Sequence, residues 1–199
     1  KFHLLIAVVL SAQTTDVSVN KVTPDLWKKF PDSKSLSEAS QQDVEHIIKS
    51  IGLYKNKSKN IIGIAKALQD RLSEIDEFQK LEYLKSPDNK DGVPGTYEEL
   101  IKLPGVGRKT ANVVLAEAFG KQKIAVDTHV FRVSNRIGLT NAEDVLKTEI
   151  QLMEILPENR WTEAHHLIIW HGRRCCKARK PNCDDCPIRE LCLHNLHGK

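Results

Sequence analysis

Residues 96–127 read TYEELIKLPGVGRKTANVVLAEAFGKQKIAVD, and the two glycines of LPGVG narrow the local folds open to this stretch. Thr96 and Glu99 stand at the spacing of a capping box, and apolar residues recur at helical intervals through 97–103, so a short helix begins there. Pro104 stops it, because proline has no amide hydrogen to offer a continuing helix. Gly105 and Gly107 then permit a tight turn that a Cβ would strain, and residues 110–119 form a second, largely apolar helix ended by Gly120. The stretch predicts a helix, a glycine hairpin and a second helix.

A glycine turn that opens a helix leaves several backbone N–H groups without internal partners, aimed outward from the positive end of the helix dipole. That is an anion site, and a phosphate suits it because glycines allow close backbone approach while Arg108 and Lys109 add charge. The pattern speaks for binding a nucleic-acid backbone more than for catalysis. Lys109 is the residue that could make the binder an enzyme, since an uncharged lysine is a nucleophile that forms Schiff bases with sugar aldehydes. Eighteen residues later, after Ile124, Ala125 and Val126, Asp127 could take a proton from that amine or stabilise cationic charge on a sugar. On spacing alone the plainer alternatives stand ahead: Lys109 as another phosphate contact and Asp127 as the N-cap of a helix over 128–137.

The remaining chain predicts helices over residues 2–12, 17–30, 43–50, 58–72, 127–137, 143–155 and 161–172, with no segment alternating at period two. The expected fold class is therefore all-α. The first run, KFHLLIAVVLSAQ, imitates a signal peptide, but it is too short to span a membrane and is expected to be a buried core helix. Thr15 or Asp16 should cap the next helix. Lys55, Lys57 and Lys59 suit either phosphate contact or a solvated face. Residues 73–95 mix Asp, Glu and Lys with Pro and Gly turn signals, which predicts a surface segment with a short helix near 78–84. A length of 199 residues allows one large domain or two small ones, and a net charge of only +4 means that any nucleic-acid surface must come from clustered rather than overall charge.

All five cysteines lie between positions 175 and 192. Cys176, Cys183, Cys186 and Cys192 are spaced C-x6-C-x2-C-x5-C, with Cys175 left over. Four thiolates so close in sequence suit one zinc ion or one iron–sulfur centre, and the spacing alone favours zinc. Such clustered ligands also suit a reducing cytosol. Between Arg173 and Lys180 five of eight residues are basic, so the loop after Cys176 reads as a basic lobe that could meet phosphates, or as a solvated charge run.

LPGVGRKTANVVL followed by IAVDTHVFRVSNRIGL resembles the endonuclease III family of helix-hairpin-helix DNA glycosylases. LLIAVVLSAQTTDVSVN, IKSIGLYKNKSKNI and the cysteine pattern resemble it too, in the same order, so the likeness covers nearly the whole chain. The resemblance implies two helical lobes, residues 1–121 with a helix-hairpin-helix at about 96–119 and residues 122–199 with a [4Fe–4S] loop, and a DNA cleft between them. A helix that precedes the first one in the family is absent from this chain. The resemblance further implies a bifunctional glycosylase and abasic-site lyase acting on oxidised pyrimidines in damaged double-stranded DNA. Lys109 would be the nucleophile and Asp127 its partner. Gln13 would fill the space left by an extruded nucleotide, and Leu53 would wedge base steps apart. DNA contacts would also come from Gly105, Gly107, Arg108, His129, Arg179 and Lys180, and the four spaced cysteines would hold the cluster. A monomer in a bacterial cytoplasm, bound to DNA and to no membrane, is expected. The alternatives are a monofunctional mismatch glycosylase on the same scaffold and a non-enzymatic zinc-containing DNA-binding module.

Overall fold

A computed structural model describes residues 1–196, and these contain helices and turns but no strand, as an all-α fold requires. The chain divides into two compact units, Lys1–Phe119 and Gly120–Lys199.

The first unit holds eight helices: α1 (Phe2–Leu10), α2 (Asp16–Lys29), α3 (Ser33–Ser37), α4 (Gln41–Ile48), α5 (Tyr54–Glu74), α6 (Glu77–Lys85), α7 (Tyr97–Leu100) and α8 (Arg108–Phe119). α1 buries Phe2, Leu5, Ile6, Val9 and Leu10, so the signal-like run is a core helix. It packs on α5, whose apolar stripe Ile61, Ile64, Ala65 and Leu68 repeats at helical spacing, and on α8 through Ala111, Val114 and Leu115. Short polar side chains start the helices: Thr15 caps α2, Asp32 caps α3 in a capping box, Ser40 caps α4 and Thr96 caps α7.

Two expectations for this unit need correction. α5 starts at Tyr54 rather than Ser58, so Lys55, Lys57 and Lys59 lie inside its first turns, and Lys57 is buried rather than solvated. The 73–95 segment is not wholly on the surface, because Asn89 and residues 91–94 are buried. Its polar groups are satisfied internally. Asn89 donates to and accepts from the backbone of Val93, and Asp91 accepts from the Ser33 amide at 2.6 Å. Gly92 has φ +65°, and a Cβ there would lie 2.7 Å from Leu72 Cδ2, so a glycine seats the loop on α5.

The second unit comprises α9 (Thr128–Ile137), α10 (Val145–Ile155), α11 (Trp161–Arg174) and the short α12 (Leu193–Leu196). Its core joins Ile124, Val126, Val130, Val133, Leu152, Ile168 and Cys176. α9 is capped by Asp127 and ends at Gly138 in the left-handed conformation, φ +90°. α9 packs on α11 at Gly172, where a Cβ would stand 3.0 Å from Val133 Cγ2. No described helix is long and apolar enough to cross a membrane.

Candidate functional site

The hairpin forms as the glycines predict, though the two do different things. Gly105 has φ +72°, and a Cβ would stand 2.4 Å from Asn60 Nδ2, so the turn cannot accept a larger residue unstrained. Gly107 has no left-handed φ, and nothing lies within 4 Å of where its Cβ would be. The expectation that a Cβ would strain this position is therefore corrected. What Gly107 keeps is an unobstructed backbone at the start of α8, which is what close approach by an anion requires. Leu103 and Val106 are buried on either side and anchor the turn to the core. Arg108 stacks on the Tyr97 ring at 5.5 Å and donates to its hydroxyl at 3.4 Å. Lys109 is exposed in the first turn of α8, so its amine is open to a ligand.

Gln13 and Leu53 share a rare backbone state. Their φ values are +55° and +57°, in the left-handed region that costs a residue with a side chain about 1–2 kcal/mol. Both side chains are exposed, Leu53 at 57%. A leucine kept out of the core on a strained corner is placed for something other than packing.

In the second unit, Asp127 is half-buried and caps α9 with one oxygen. Oδ1 accepts from the His129 and Val130 amides, each at 2.8 Å. The cap reading is therefore correct, and it leaves Oδ2 for other work. His129, also half-buried, has Nδ1 3.3 Å from Arg132 Nη2. That same nitrogen donates to the carbonyls of Gly172 at 3.1 Å and Cys176 at 2.9 Å. One arginine thus joins the α9 start, the close point on α11 and the first of the spaced cysteines.

The cysteines gather after α11. Cys176 and Cys192 are buried, and Cys175, Cys183 and Cys186 are half-buried. Arg136 links the two buried ones: its Nη1 donates to Cys176 Sγ at 3.6 Å, and its carbonyl lies 4.0 Å from Cys192 Sγ. Its guanidinium also donates to the carbonyls of Lys177 and Ala178, at 2.7 and 3.3 Å, next to exposed Arg179 and Lys180. Cys186 Sγ sits 3.8 Å from His171 Nε2, and His171 Nε2 or Nδ1, Cys175 Sγ and Cys186 Sγ can lie within 4.8 Å of one another. Burial, and after it the neighbouring Cys186, pushes the Cys175 thiol up to about 11. Five cysteines on one short segment, with an arginine N–H aimed at one sulfur, supply the soft donors that a [4Fe–4S] cluster takes, and among the described residues the donors that lie together are His171, Cys175 and Cys186 rather than the four spaced cysteines.

Sequence reasoning did not single out Arg132 or Arg136, and it left Lys57 open between a phosphate contact and a solvated face. Lys57 carried a signal, because it falls on the same stripe as Ile61 and Ile64, where a charged residue stands out. The two arginines lie four apart on α9, but their partners come from residues about forty positions later and leave no local trace.

Residues 6–158 match the family described as HhH-GPD superfamily base excision DNA repair protein, and residues 176–192 match the iron-sulfur binding domain of endonuclease III, starting and ending on spaced cysteines. The chain is 48% identical to endonuclease III of Rickettsia felis, over 96% of this chain and 82% of that protein. It is 43% identical to endonuclease III of Escherichia coli K12, over 96% and 82% respectively. Among solved structures, a trapped endonuclease III–DNA covalent intermediate with an estranged adenine superimposes with a TM-score of 0.83 at 45% identity, covering 98% of this chain and 84% of the other. A thermostable thymine-DNA glycosylase shares the fold, with a TM-score of 0.77 at 22% identity. On the strength of both family matches and of relatives aligned over nearly its full length, this chain belongs to the HhH-GPD superfamily of base excision DNA repair proteins and, within it, to the endonuclease III family.

Proposed function

We propose that this protein removes oxidised pyrimidines from duplex DNA and then cuts the strand 3′ to the abasic site through a Schiff base on Lys109. The observation that carries this reading is an exposed lysine in the first turn of the helix that the glycine turn opens. The backbone amides of the turn, Gly107 included, grip a phosphate, which sets the sugar beside Lys109. A relative trapped as a covalent intermediate with DNA supports a nucleophile of this kind.

The damaged nucleotide must leave the stack, because C1′ is out of reach inside the duplex. The neutral Lys109 amine attacks C1′ and the N-glycosidic bond breaks, its electron pair departing with the base, which takes up a proton. The free Oδ2 of Asp127 accepts the proton that the lysine loses or balances cationic charge on the sugar. Opening of the sugar ring leaves a protonated imine between Lys109 and C1′, which acidifies the C2′ hydrogen. Loss of that proton expels the 3′-phosphate by β-elimination, and water then hydrolyses the imine to free the lysine. Gln13 and Leu53 fill and pry the stack, Arg108, Arg179 and Lys180 contact phosphates, and His129 holds the sugar side of the site. The iron–sulfur cluster serves as a structural centre. Cys176 to Cys192 fold around it, and Arg136 carries that order to the loop bearing Arg179 and Lys180.

The protein acts as a monomer on bacterial DNA in the cytoplasm, a setting that suits clustered reduced cysteines. Duplexes carrying thymine glycol or an abasic site should be nicked, and a duplex with an adenine mispaired to 8-oxoguanine should not. Excision of that adenine without nicking would overturn the bifunctional assignment.

A further inference from the structure

Lys57 is an anomaly in the first unit. It is 4% exposed on the apolar stripe of α5, in line with Ile61, Ile64 and Leu68, yet it carries a cationic group. Burying an ammonium is unfavourable unless carboxylates or several acceptors surround it. Among the described residues, the Lys57 Nζ donates to one side chain, the hydroxyl of Thr14. Burial alone pulls the Lys57 pKa below the usual lysine value, with no acidic neighbour raising it. A methionine or leucine would serve the core better, so the ammonium has a use besides packing.

Its position shows the use. Thr14 follows Gln13 in the turn after α1, and Lys57 lies one helical turn beyond Leu53, whose carbonyl accepts the Lys57 amide at 3.0 Å. A Cβ on Gly52 would stand 4.0 Å from Thr14 Oγ1, so the two corners are neighbours, and the Lys57–Thr14 hydrogen bond joins them. Both corners bear an exposed side chain on a left-handed residue, forty positions apart in sequence. Neither left-handed residue is itself a glycine, so each conformation must be imposed from its surroundings.

We propose that Lys57 is a positioning residue for base extrusion: its hydrogen bond to Thr14 locks the Gln13 corner to the Leu53 corner, so that both side chains enter the duplex as one rigid element. This rests on the reading that Gln13 and Leu53 invade the stack. Rigid pairing matters because a filler and a wedge that move independently lose the alignment that makes insertion productive.

The test uses the full-length protein with its cluster and a duplex bearing thymine glycol opposite 2-aminopurine, whose fluorescence rises on unstacking. Lys57→Met and Thr14→Val should each lower the unstacking signal and slow base removal roughly tenfold. The double variant should be no worse than either single one, because both remove the same bond. Borohydride trapping on a single-stranded abasic oligonucleotide, which has no stack to open, should stay at the wild-type level, and the melting temperature should not fall. Thr14→Ser, which keeps the hydroxyl, should restore the signal. If Lys57→Met does not fold, Thr14→Val at its half-buried position gives the same reading. Wild-type unstacking in Lys57→Met and Thr14→Val, beside a loss in Gln13→Ala and Leu53→Ala, would overturn the locking role alone. Equal loss on duplex and single strand would overturn it too, by making the effect general. Wild-type unstacking in Gln13→Ala and Leu53→Ala would instead overturn the invasion reading on which it rests.

Discussion

Gly105 and Gly107 stand two residues apart in one motif and answer to different demands. Gly105 is set by the fold, through its positive φ and the Asn60 side chain against it. Gly105→Ala should therefore lose about 1–3 kcal/mol in chemical denaturation, the range for a strained backbone position. Gly107 has ordinary φ and open surroundings, so Gly107→Ala should keep stability within about 0.5 kcal/mol and weaken binding to abasic DNA. Equal destabilisation by both would remove the distinction between a turn residue and a phosphate-facing one. Asp127 caps α9 with one oxygen only, Oδ1 accepting from the His129 and Val130 amides. Residue types and spacing marked Lys109, Asp127 and the four cysteines as candidates, while the roles expected of them came from the family resemblance. Lys57 was misread because a run of three lysines looks like a solvated face until the helix register is known.

Helix starts were the most legible elements, because Thr15, Ser40 and Thr96 cap where their hydroxyls can reach an amide three residues on. Helix ends were less so: α7 stops at Leu100 and the next residues form turns, since nothing local distinguishes a second helical turn from a bend into Pro104. The 73–95 segment was the least legible, because long-range bonds fix it. Arg71 on α5 donates to Tyr83 at 3.0 Å, to the Gly92 carbonyl at 3.2 Å and to Glu99 at 2.9 Å, tying α6, the buried loop and α7 to one guanidinium. Thr96 and then Arg71 hold the Glu99 carboxyl below its usual value of 4.5. A carboxylate with a depressed folded pKa stabilises fully above its unfolded value and loses that contribution as pH falls through the folded one. Glu99→Gln should thus be less stable than wild type at neutral pH and should lose less stability on acidification below about pH 4.5. Parallel acid limbs for the two proteins would contradict this.

Each of the two units has its own apolar core, and the segment that matches the iron-sulfur binding domain, residues 176–192, lies in the second. Removing the iron–sulfur cluster by oxidation should raise amide exchange in residues 173–192 and leave the α1, α5 and α8 amides protected. With a net charge of only +4, affinity for DNA must come from local groups. Alanine at Arg179 or Lys180 should each flatten the dependence of log affinity on log salt by about one unit, without regard to sequence. The activity itself comes down to one covalent bond between an amine and deoxyribose. The most direct test is borohydride reduction of the wild-type and Lys109→Gln proteins on a duplex with one abasic site, resolved by denaturing electrophoresis. Wild type should give a protein–DNA adduct while Lys109→Gln binds the same duplex and gives none; an undiminished adduct with Lys109→Gln would contradict the account.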